Sequence, residues 1–246
     1  MSAGLQLHMP LVSSVSPADF GLDQGNRPLR HAKQGRHGAW VGHVASRKAL
    51  GPAPHESLLE RDEFILLSVD PMIKCFAVQA HHLIYWMPGA DGEPLKHQYT
   101  PDIVAQDQDD RIFVIEVKAK IFANGNKWKA REPHIRQAYA DDHGIDFYVV
   151  TEDEIRQEPR LSNCKVIYSH RAPPNDEQAE MVLRDVVGEA SAEALVGQIC
   201  ATAMERRIDE RRSFSALMRL AMTGAVSLDL SRPLGPTTRV IPAGRG

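Results

Sequence analysis

"YTPDIVAQDQDDRIFVIEVKAK", residues 99–120, contains two apolar runs separated by an acidic turn. The second run, residues 111–119, is rich in β-branched residues and therefore predicts a strand. Because side chains alternate along a strand, Glu116 and Lys118 share one face with Ile112 and Val114, while the other face is entirely apolar. A strand with apolar residues on both faces is normally buried between two layers.

The two charges inside this strand need an explanation, because burying an uncompensated ion costs several kcal/mol. The preceding strand carries Asp102, and a short hairpin between the strands would place its carboxylate beside that of Glu116. Neighbouring carboxylates repel each other, and a hard cation such as Mg²⁺ or Mn²⁺ relieves that repulsion. The backbone carbonyl of Val117 can supply a further oxygen, and Lys118 can orient or deprotonate a metal-bound water. The pattern predicts a metal-dependent nuclease.

The simpler interpretation of the same residues is a structural one. Glu116 and Lys118 would then form a partly exposed cross-strand ion pair in an ordinary hairpin, since the pattern E-x-K is common. The P-D step at hairpin distance, the apolar strand and the acidic helix before it favour the nuclease.

The composition is that of an ordinary soluble globular protein. The 246 residues carry a formal charge of −3, with 43% hydrophobic and 25% charged residues. Three cysteines without a C-x-x-C pair disfavour a disulfide framework or zinc ribbon and indicate a reducing cytoplasm. No apolar run reaches the roughly 18 residues of a membrane span, so no membrane association is expected.

Basic residues are concentrated in two places. Residues 1–50 are predicted to form a flexible N-terminal arm, in which residues 29–48 carry no acid, and Arg36 and Lys48 are candidates for DNA phosphate contacts. Lys127, Lys129 and Arg131 follow the charged strand and are candidates of the same kind. Solvated basic residues without a ligand are the alternative in both places.

Residues 51–170 are predicted to form an α/β domain with a mixed sheet. Its expected elements are a helix at 55–68, antiparallel strands at 98–105 and 111–119, and a helix that begins near Pro133 and ends before Gly144. "IDFYVV" is predicted to be a short buried strand. Thr151 and Glu154 form the pattern of a capping box that begins another helix.

Residues 171–246 are predicted to form a separate, small α+β domain of winged-helix type. Its Pro-rich linker "HRAPPNDE" contains Pro173 and Pro174, so a fragment of residues 1–170 is expected to fold alone. Helices are expected at 176–187, 191–204 and 213–222, with Ser191 and Ser213 as caps and glycines 188 and 224 at two helix ends, before a terminal hairpin. The mixed charge of "MERRIDERR" favours a docking surface over a DNA footprint.

Several segments together resemble a known family. "TPD" followed by "IEVKAK" resembles the PD-(D/E)xK nuclease core. In order and spacing, "HESLLERDEFILLSVDP", "YTPDIV", "IEVKAK" and "DFYVVTEDEI" resemble TnsA, the endonuclease subunit of heteromeric bacterial transposases, over roughly residues 30–170. The resemblance implies a restriction-endonuclease-like sheet flanked by helices, with catalytic residues Glu60, Asp102, Glu116 and Lys118. From the residues alone, Glu56 and Glu63 compete with Glu60.

The resemblance also implies a function. A TnsA-like subunit would cleave double-stranded DNA at the 5′ ends of a transposon with Mg²⁺ or Mn²⁺, beside a TnsB-like transposase and a TnsC-like AAA+ regulator. Two alternatives stay open: a stand-alone nuclease of restriction or phage-defence type, and a non-catalytic DNA-binding assembly protein with a degenerate nuclease fold.

Overall fold

The computed structural model describes residues 15–23, 25, 27–29, 41–172, 176–190 and 194–242. The DNA-contact candidate Arg36, the predicted cap Ser191 and the linker residues Pro173 and Pro174 lie outside these ranges. None of the helices within the described ranges is both long and apolar enough to span a bilayer.

The N-terminal two thirds of the chain alternate strands and helices. The strands are β1 (Gly42–His43), β2 (Pro54–His55), β3 (Ile73–Val78), β4 (Leu83–Pro88), β5 (Pro94–Tyr99), β6 (Ile103–Asp107), β7 (Ile112–Val117) and β8 (Asp146–Val150). The helices are α1 (Leu58–Val69), α2 (Lys120–Ala123), α3 (Asn126–Ala138), α4 (Glu152–Ile155) and α5 (Arg160–Ser169). The C-terminal part contains α6 (Glu177–Glu189), α7 (Val196–Glu205), α8 (Glu210–Met222), β9 (Val226–Leu228) and β10 (Val240–Pro242).

The central sheet is mixed and has the strand order β3-β6-β7-β8. Strand β6 is antiparallel to β3 and β7, whereas β7 and β8 are parallel. On one face of β7, Ile115 belongs to a core that includes Phe64 of α1. On the other face, Val114 belongs to a core that includes Ile135 of α3 and Tyr85 of β4. The predicted α/β class, mixed sheet and burial of both faces of β7 are confirmed.

The predicted strand at 98–105 is two strands. Tyr99 ends β5, which pairs with β4, and β6 begins only at Ile103. The chain changes direction between them, at Thr100 to Asp102, where Pro101 has no N–H for a sheet ladder. The antiparallel pairing of β6 with β7 is confirmed, with Ile103 opposite Ile115 and Val104 opposite Val114.

The predicted helix start near Pro133 is wrong, because α3 begins at Asn126 and contains Pro133 in its interior. Proline removes one helical hydrogen bond there. Burial of Ile135 and Tyr139 against the sheet holds this region in place. A π-helical turn, Tyr139–His143, continues α3, and Gly144 follows it as predicted, with a φ of 66°. Strand β8 is also confirmed, but it is an edge strand whose Tyr148 is 47% exposed, so the predicted burial of this strand is wrong.

Local capping explains where two helices begin. Ser57 is the N-cap of α1 and accepts a hydrogen bond from the Glu60 N–H, and Asp70 follows the last residue of the helix. The predicted capping box of α4 is confirmed: the Glu154 carboxylate accepts a hydrogen bond of 2.8 Å from the Thr151 N–H. These side chains satisfy N–H groups that have no partner within the helix.

The C-terminal part contains three helices followed by an antiparallel β9–β10 pair, as predicted. Three boundaries differ. Helix α7 begins at Val196, after its N-cap Leu195, and not near residue 191. Helix α6 continues through Gly188 to Glu189. Helix α8 begins at Glu210 because Asp209 caps it, so Ser213 lies inside the helix and donates to the Glu210 carbonyl at 2.9 Å. Gly224 follows α8 with a φ of 74°.

The C-terminal helices share a hydrophobic core with the α/β region. A single cluster of buried residues contains Phe64 of α1, Ile167 of α5, Leu183 of α6 and Leu217 of α8. The predicted linker therefore does not separate two independent cores.

Two described parts of the predicted N-terminal arm pack against the rest of the chain. Phe20 is 1% exposed and stacks on His81, with 4.4 Å between ring centroids. The carbonyl of Lys48 accepts from the Phe76 N–H at 2.9 Å, and the Leu50 N–H donates to the Phe76 carbonyl at 2.8 Å, which adds this segment to the edge of the sheet beside β3.

Candidate active site

The register of β6 and β7 places the two predicted metal ligands opposite each other. The last regular pair is Ile103 with Ile115, and one position further along the hairpin lie Asp102 and Glu116. Side chains directly opposite on antiparallel strands have Cβ atoms about 4.5–5.5 Å apart. The two carboxylates therefore lie side by side on the face that also carries Val104 and Val114.

Both carboxyl groups are buried, with Asp102 9% and Glu116 6% exposed. An Asp102 Oδ2 atom accepts a hydrogen bond of 2.9 Å from the Val117 N–H, which fixes its position. Burial raises the pKa of Asp102 well above its usual range, and the negative charges of Glu116 and Glu60 raise it further. The Val117 N–H and the Lys118 cation oppose this shift without cancelling it.

The backbone of Val117 presents its polar groups towards Asp102. The Lys118 N–H donates to the Val150 carbonyl on β8 at 2.9 Å. Successive residues of a strand direct their N–H and C=O groups to opposite sides, so those of Val117 point towards β6, the other neighbour of β7. Along a strand, the N–H and C=O of one residue point to the same side. Since the Val117 N–H reaches Asp102, the Val117 carbonyl is directed to the same side, as the predicted ligand set requires.

Lys118 lies on the same face and contacts Glu116. Its Nζ is 2.5 Å from Glu116 Oε1 and 4.2 Å from the centroid of the Trp128 ring. The other Glu116 oxygen accepts a hydrogen bond from the Tyr99 hydroxyl. Burial and the charge of Glu116 raise the pKa of Tyr99 well above its usual range, so this phenol keeps its proton and acts as a hydrogen-bond donor to Glu116.

A polar cavity of about 490 Å³ opens over these groups, and Glu60 lines it. Glu60 lies in the first turn of α1, where its carboxylate accepts from the Ser57 hydroxyl at 3.0 Å and from the Glu56 N–H at 2.7 Å. Such capping contacts are typical of an S-x-x-E sequence and hold the side chain at the helix start. Glu60 is therefore the helix acid that the fold brings to Asp102 and Glu116.

The two competing glutamates lie elsewhere. Glu56 precedes the helix cap, and neither it nor Glu63 lines the cavity. Glu63 is 7% exposed, and burial raises its pKa to about 7, while Arg160 lowers it and Asp70 raises it. The sequence could not separate the three, because positions 56, 60 and 63 are compatible with one side of a longer helix.

No family model matches the chain, and no curated protein matches it. The suitability of the site for a metal ion is therefore judged from its donor atoms alone. Among the described residues, no group of three or more His, Cys, Asp or Glu side chains is arranged to hold a metal. Two carboxylates and one backbone carbonyl still suit Mg²⁺, which keeps several waters and commonly uses one or two protein carboxylates.

The predicted DNA-contact residues fall into three groups. Lys127 is exposed and lines an adjoining cavity of about 400 Å³ together with Lys118 and Arg131, and Arg131 lines both cavities. Lys129 is exposed on the same helix but lines neither cavity. Lys48 lies beside β3, where its Nζ donates to the Asp70 carbonyl, away from this site.

Two residues of the site were not identified from the sequence. Tyr99 lies within the stretch that predicted the nuclease, but it ends β5. The prediction of one continuous strand at 98–105 did not place a strand end at this residue. Trp128 lies in the first turn of α3, a helix that was predicted to begin later. An aromatic residue between basic neighbours, as in "KWK", is the signal that could have indicated a cation contact.

Proposed function

We propose that the chain is a metal-dependent endonuclease that hydrolyses phosphodiester bonds in double-stranded DNA. The observation that carries this proposal is the pairing of Asp102 with Glu116, with the Val117 backbone and the Lys118 ammonium beside them. The Lys118 ammonium balances only one of the two adjacent buried carboxylates, so the second costs free energy without a further cation. A purely structural role would be served better by apolar residues at these positions.

The donor set fits Mg²⁺ or Mn²⁺ held by Asp102, Glu116 and the Val117 carbonyl. Such an ion, when bound by these residues, would lower the pKa of a bound water and stabilise charge on a phosphate. The Val117 N–H and the Tyr99 hydroxyl keep one oxygen of each carboxylate in place. Because of these hydrogen bonds, the two carboxylates hold their positions before any substrate binds.

Lys118 has a separate task. Its ammonium is held between Glu116 and the Trp128 ring and is 20% exposed, so it faces both the carboxylates and the cavity. From there it can hold the attacking water and neutralise negative charge that develops on the scissile phosphate. Glu60, at the cavity wall, can accept a hydrogen bond from that water.

The DNA backbone would approach across the basic rim formed by Lys127 and Arg131. Both line the cavity that adjoins the carboxylates, and the Arg131 Nε donates to the Tyr85 hydroxyl at 2.8 Å, which orients its guanidinium. Contacts of this kind position a duplex without reading its sequence.

The narrower proposal is cleavage at the 5′ ends of a transposon, together with a TnsB-like transposase and a TnsC-like AAA+ regulator. It is supported by four sequence segments that resemble TnsA in order and spacing, and it is compatible with the mixed sheet of order β3-β6-β7-β8. The winged-helix-like order of the C-terminal elements suits docking to such partners. An integrase-core transposase and an AAA+ protein encoded beside the gene would support the narrower proposal over a stand-alone nuclease.

The test is nicking of supercoiled plasmid with Mg²⁺ or Mn²⁺, with and without the proteins encoded beside the gene. We expect cleavage by the native chain and by Glu93→Gln, a variant in the exposed β4–β5 turn, and none by Asp102→Asn or Glu116→Gln. Equal cleavage by all four proteins would show that Asp102 and Glu116 are not required for the activity. No cleavage by any of them, even with partners, would favour a non-catalytic assembly protein.

A further inference from the structure

Arg219 of α8 is a buried cation with an unused donor. The residue is 8% exposed, and its Nε donates to the Glu180 carboxylate of α6 at 2.6 Å. Its Nη2 atom is also buried, and no described residue accepts a hydrogen bond from it. An arginine donor without an acceptor costs free energy, so the position favours an anion that supplies one.

Arg219 lines a small cavity with other cations. Lys48 and Arg171 reach it from the segment beside β3 and from the end of α5. Arg171 uses its Nε and Nη1 atoms on the carbonyls of Ala45 and Tyr168, which are neutral groups. Among the described residues that line the cavity, four are cationic and one, Glu180, is acidic. The surplus of positive charge is confined to a partly enclosed space.

Two titratable groups in and beside this cavity have lowered pKa values. Burial lowers the pKa of Lys48 to about 8, with Asp70 acting in the opposite direction. Burial also lowers the pKa of His170 at the neighbouring surface, and the charges of Arg219 and Arg211 lower it further. A bound anion would offset the cost of holding these cations close together.

The dimensions of the cavity limit its ligand. Its volume is about 100 Å³, well below the roughly 300 Å³ at which sites for drug-sized molecules begin. The Ser46 hydroxyl also lines it and can donate to an anion. The Ser68 and Thr223 hydroxyls line it too, but they donate to the carbonyls of Phe64 and Leu220. A compact oxyanion with several acceptor oxygens fits this set of donors, whereas a nucleotide base or an extended peptide does not.

We propose that Arg219, Arg171 and Lys48 form a binding site for a single phosphate group, at the junction of the sheet edge with α1, α6 and α8. The phosphate is either free inorganic phosphate or one phosphate of a DNA backbone. The site is distinct from the Asp102–Glu116 pair and does not depend on cleavage. By bridging elements from both ends of the chain, the anion would stabilise the packing of the C-terminal helices on α1 and α5.

The experiment measures phosphate binding to the full chain in EDTA, by equilibrium dialysis with labelled inorganic phosphate at constant ionic strength. We expect one phosphate per chain for the native protein and for Arg184→Gln, a matched charge removal at an exposed position of α6. Arg171→Gln, which is only half-buried and should fold, is expected to weaken binding roughly tenfold. Arg219→Lys keeps the charge but loses the fork of donors and should weaken binding as well.

A second arm identifies the source of the phosphate, using a 30-base-pair duplex in the same EDTA buffer. If the phosphate belongs to DNA, Arg171→Gln weakens duplex binding and reduces the salt dependence by about one charge. If it is free phosphate, duplex binding is unchanged while phosphate binding falls. Phosphate binding that is absent in the native chain, or equal in Arg171→Gln and Arg184→Gln, overturns the proposal.

Discussion

The Val117 N–H donates a 2.9 Å hydrogen bond to the Asp102 carboxylate across the open end of the β6–β7 hairpin. This bond lies beyond the last regular pair of the ladder and holds the carboxylate beside that of Glu116. The fold therefore stabilises an arrangement in which two negative charges repel each other. The predictions about charge, metal and stability follow from that conflict.

Replacing Asp102 with asparagine should raise the stability of the metal-free protein at neutral pH. The pKa of Asp102 is raised in the folded state, so its carboxyl favours folding at low pH and opposes it once pH rises through the folded pKa. The amide oxygen of the substituted side chain would still accept from the Val117 N–H, but the amide would never ionise. We expect a gain of about 1 kcal/mol or more at pH 7.5, measured by urea unfolding. A marked loss of stability would instead assign Asp102 a structural role.

Divalent metal should reverse that order of stabilities. Mg²⁺ or Mn²⁺ would bind the folded carboxylate pair and not the unfolded chain, so the melting temperature of the native chain should rise with the logarithm of the metal concentration above the Kd. Asp102→Asn and Glu116→Gln should show little shift, and Ca²⁺ should stabilise the native chain while supporting little cleavage. Cleavage that persists in EDTA, with zinc bound stoichiometrically, would contradict the all-oxygen site.

Trp128→Leu should slow DNA nicking by roughly tenfold, because the leucine removes the ring that holds the Lys118 ammonium. Trp128→Phe keeps a ring face and should lose less activity. Melting temperatures of the two variants serve as the control for folding. Equal rates for Trp128→Leu and the native chain would show that the ring contact has no part in positioning Lys118.

Glu63 should make stability depend on pH near neutrality. Its pKa is raised from 4.5 to about 7, so its contribution to stability is fully present below pH 4.5 and is lost as pH rises through about 7. The loss amounts to at most about 3 kcal/mol. Glu63→Gln should therefore unfold at higher urea than the native chain at pH 8, and at a similar concentration at pH 4.5. Glu93→Gln, at an exposed turn, should keep the native pH dependence.

A fragment of residues 1–170 should be markedly less stable than the full chain. Removing α6 to α8 would expose Phe64 and Ile167 in the cluster that they share with Leu183 and Leu217. We expect its melting temperature to fall by more than about 5 °C. The matched control is a protease site inserted at residues 173–175. After cleavage there, the two fragments should elute together in size-exclusion chromatography. Separate elution would indicate that they are independent domains.

The hairpin that carries the site was predictable because its pattern is local. β-branched residues, alternation and the acidic turn specify β6 and β7 by themselves, and the spacing from Asp102 to Glu116 fixes their meeting once the turn closes. The capping box at Thr151 is equally local. Such features depend on neighbours within a few residues, which the sequence displays directly.

Features that depend on distant packing were not predictable. Helix α3 tolerates Pro133 because Ile135 and Tyr139 are buried on the far side of the sheet. Trp128 meets Lys118 only because that helix begins seven residues before the proline. The shared core of α1, α5, α6 and α8 joins residues more than a hundred positions apart, and no pattern at residue 171 reveals it.

Strand β7 is the interior strand that carries Glu116 and is covered on both faces. Its amide hydrogens should therefore be among the slowest in the chain to exchange with deuterium, since only global opening exposes them. The conformational entropy that is lost in aligning the two carboxylates is therefore lost during folding and not during substrate binding. If the cavity accepts a phosphodiester, as proposed, that substrate would meet donor atoms whose positions are already set.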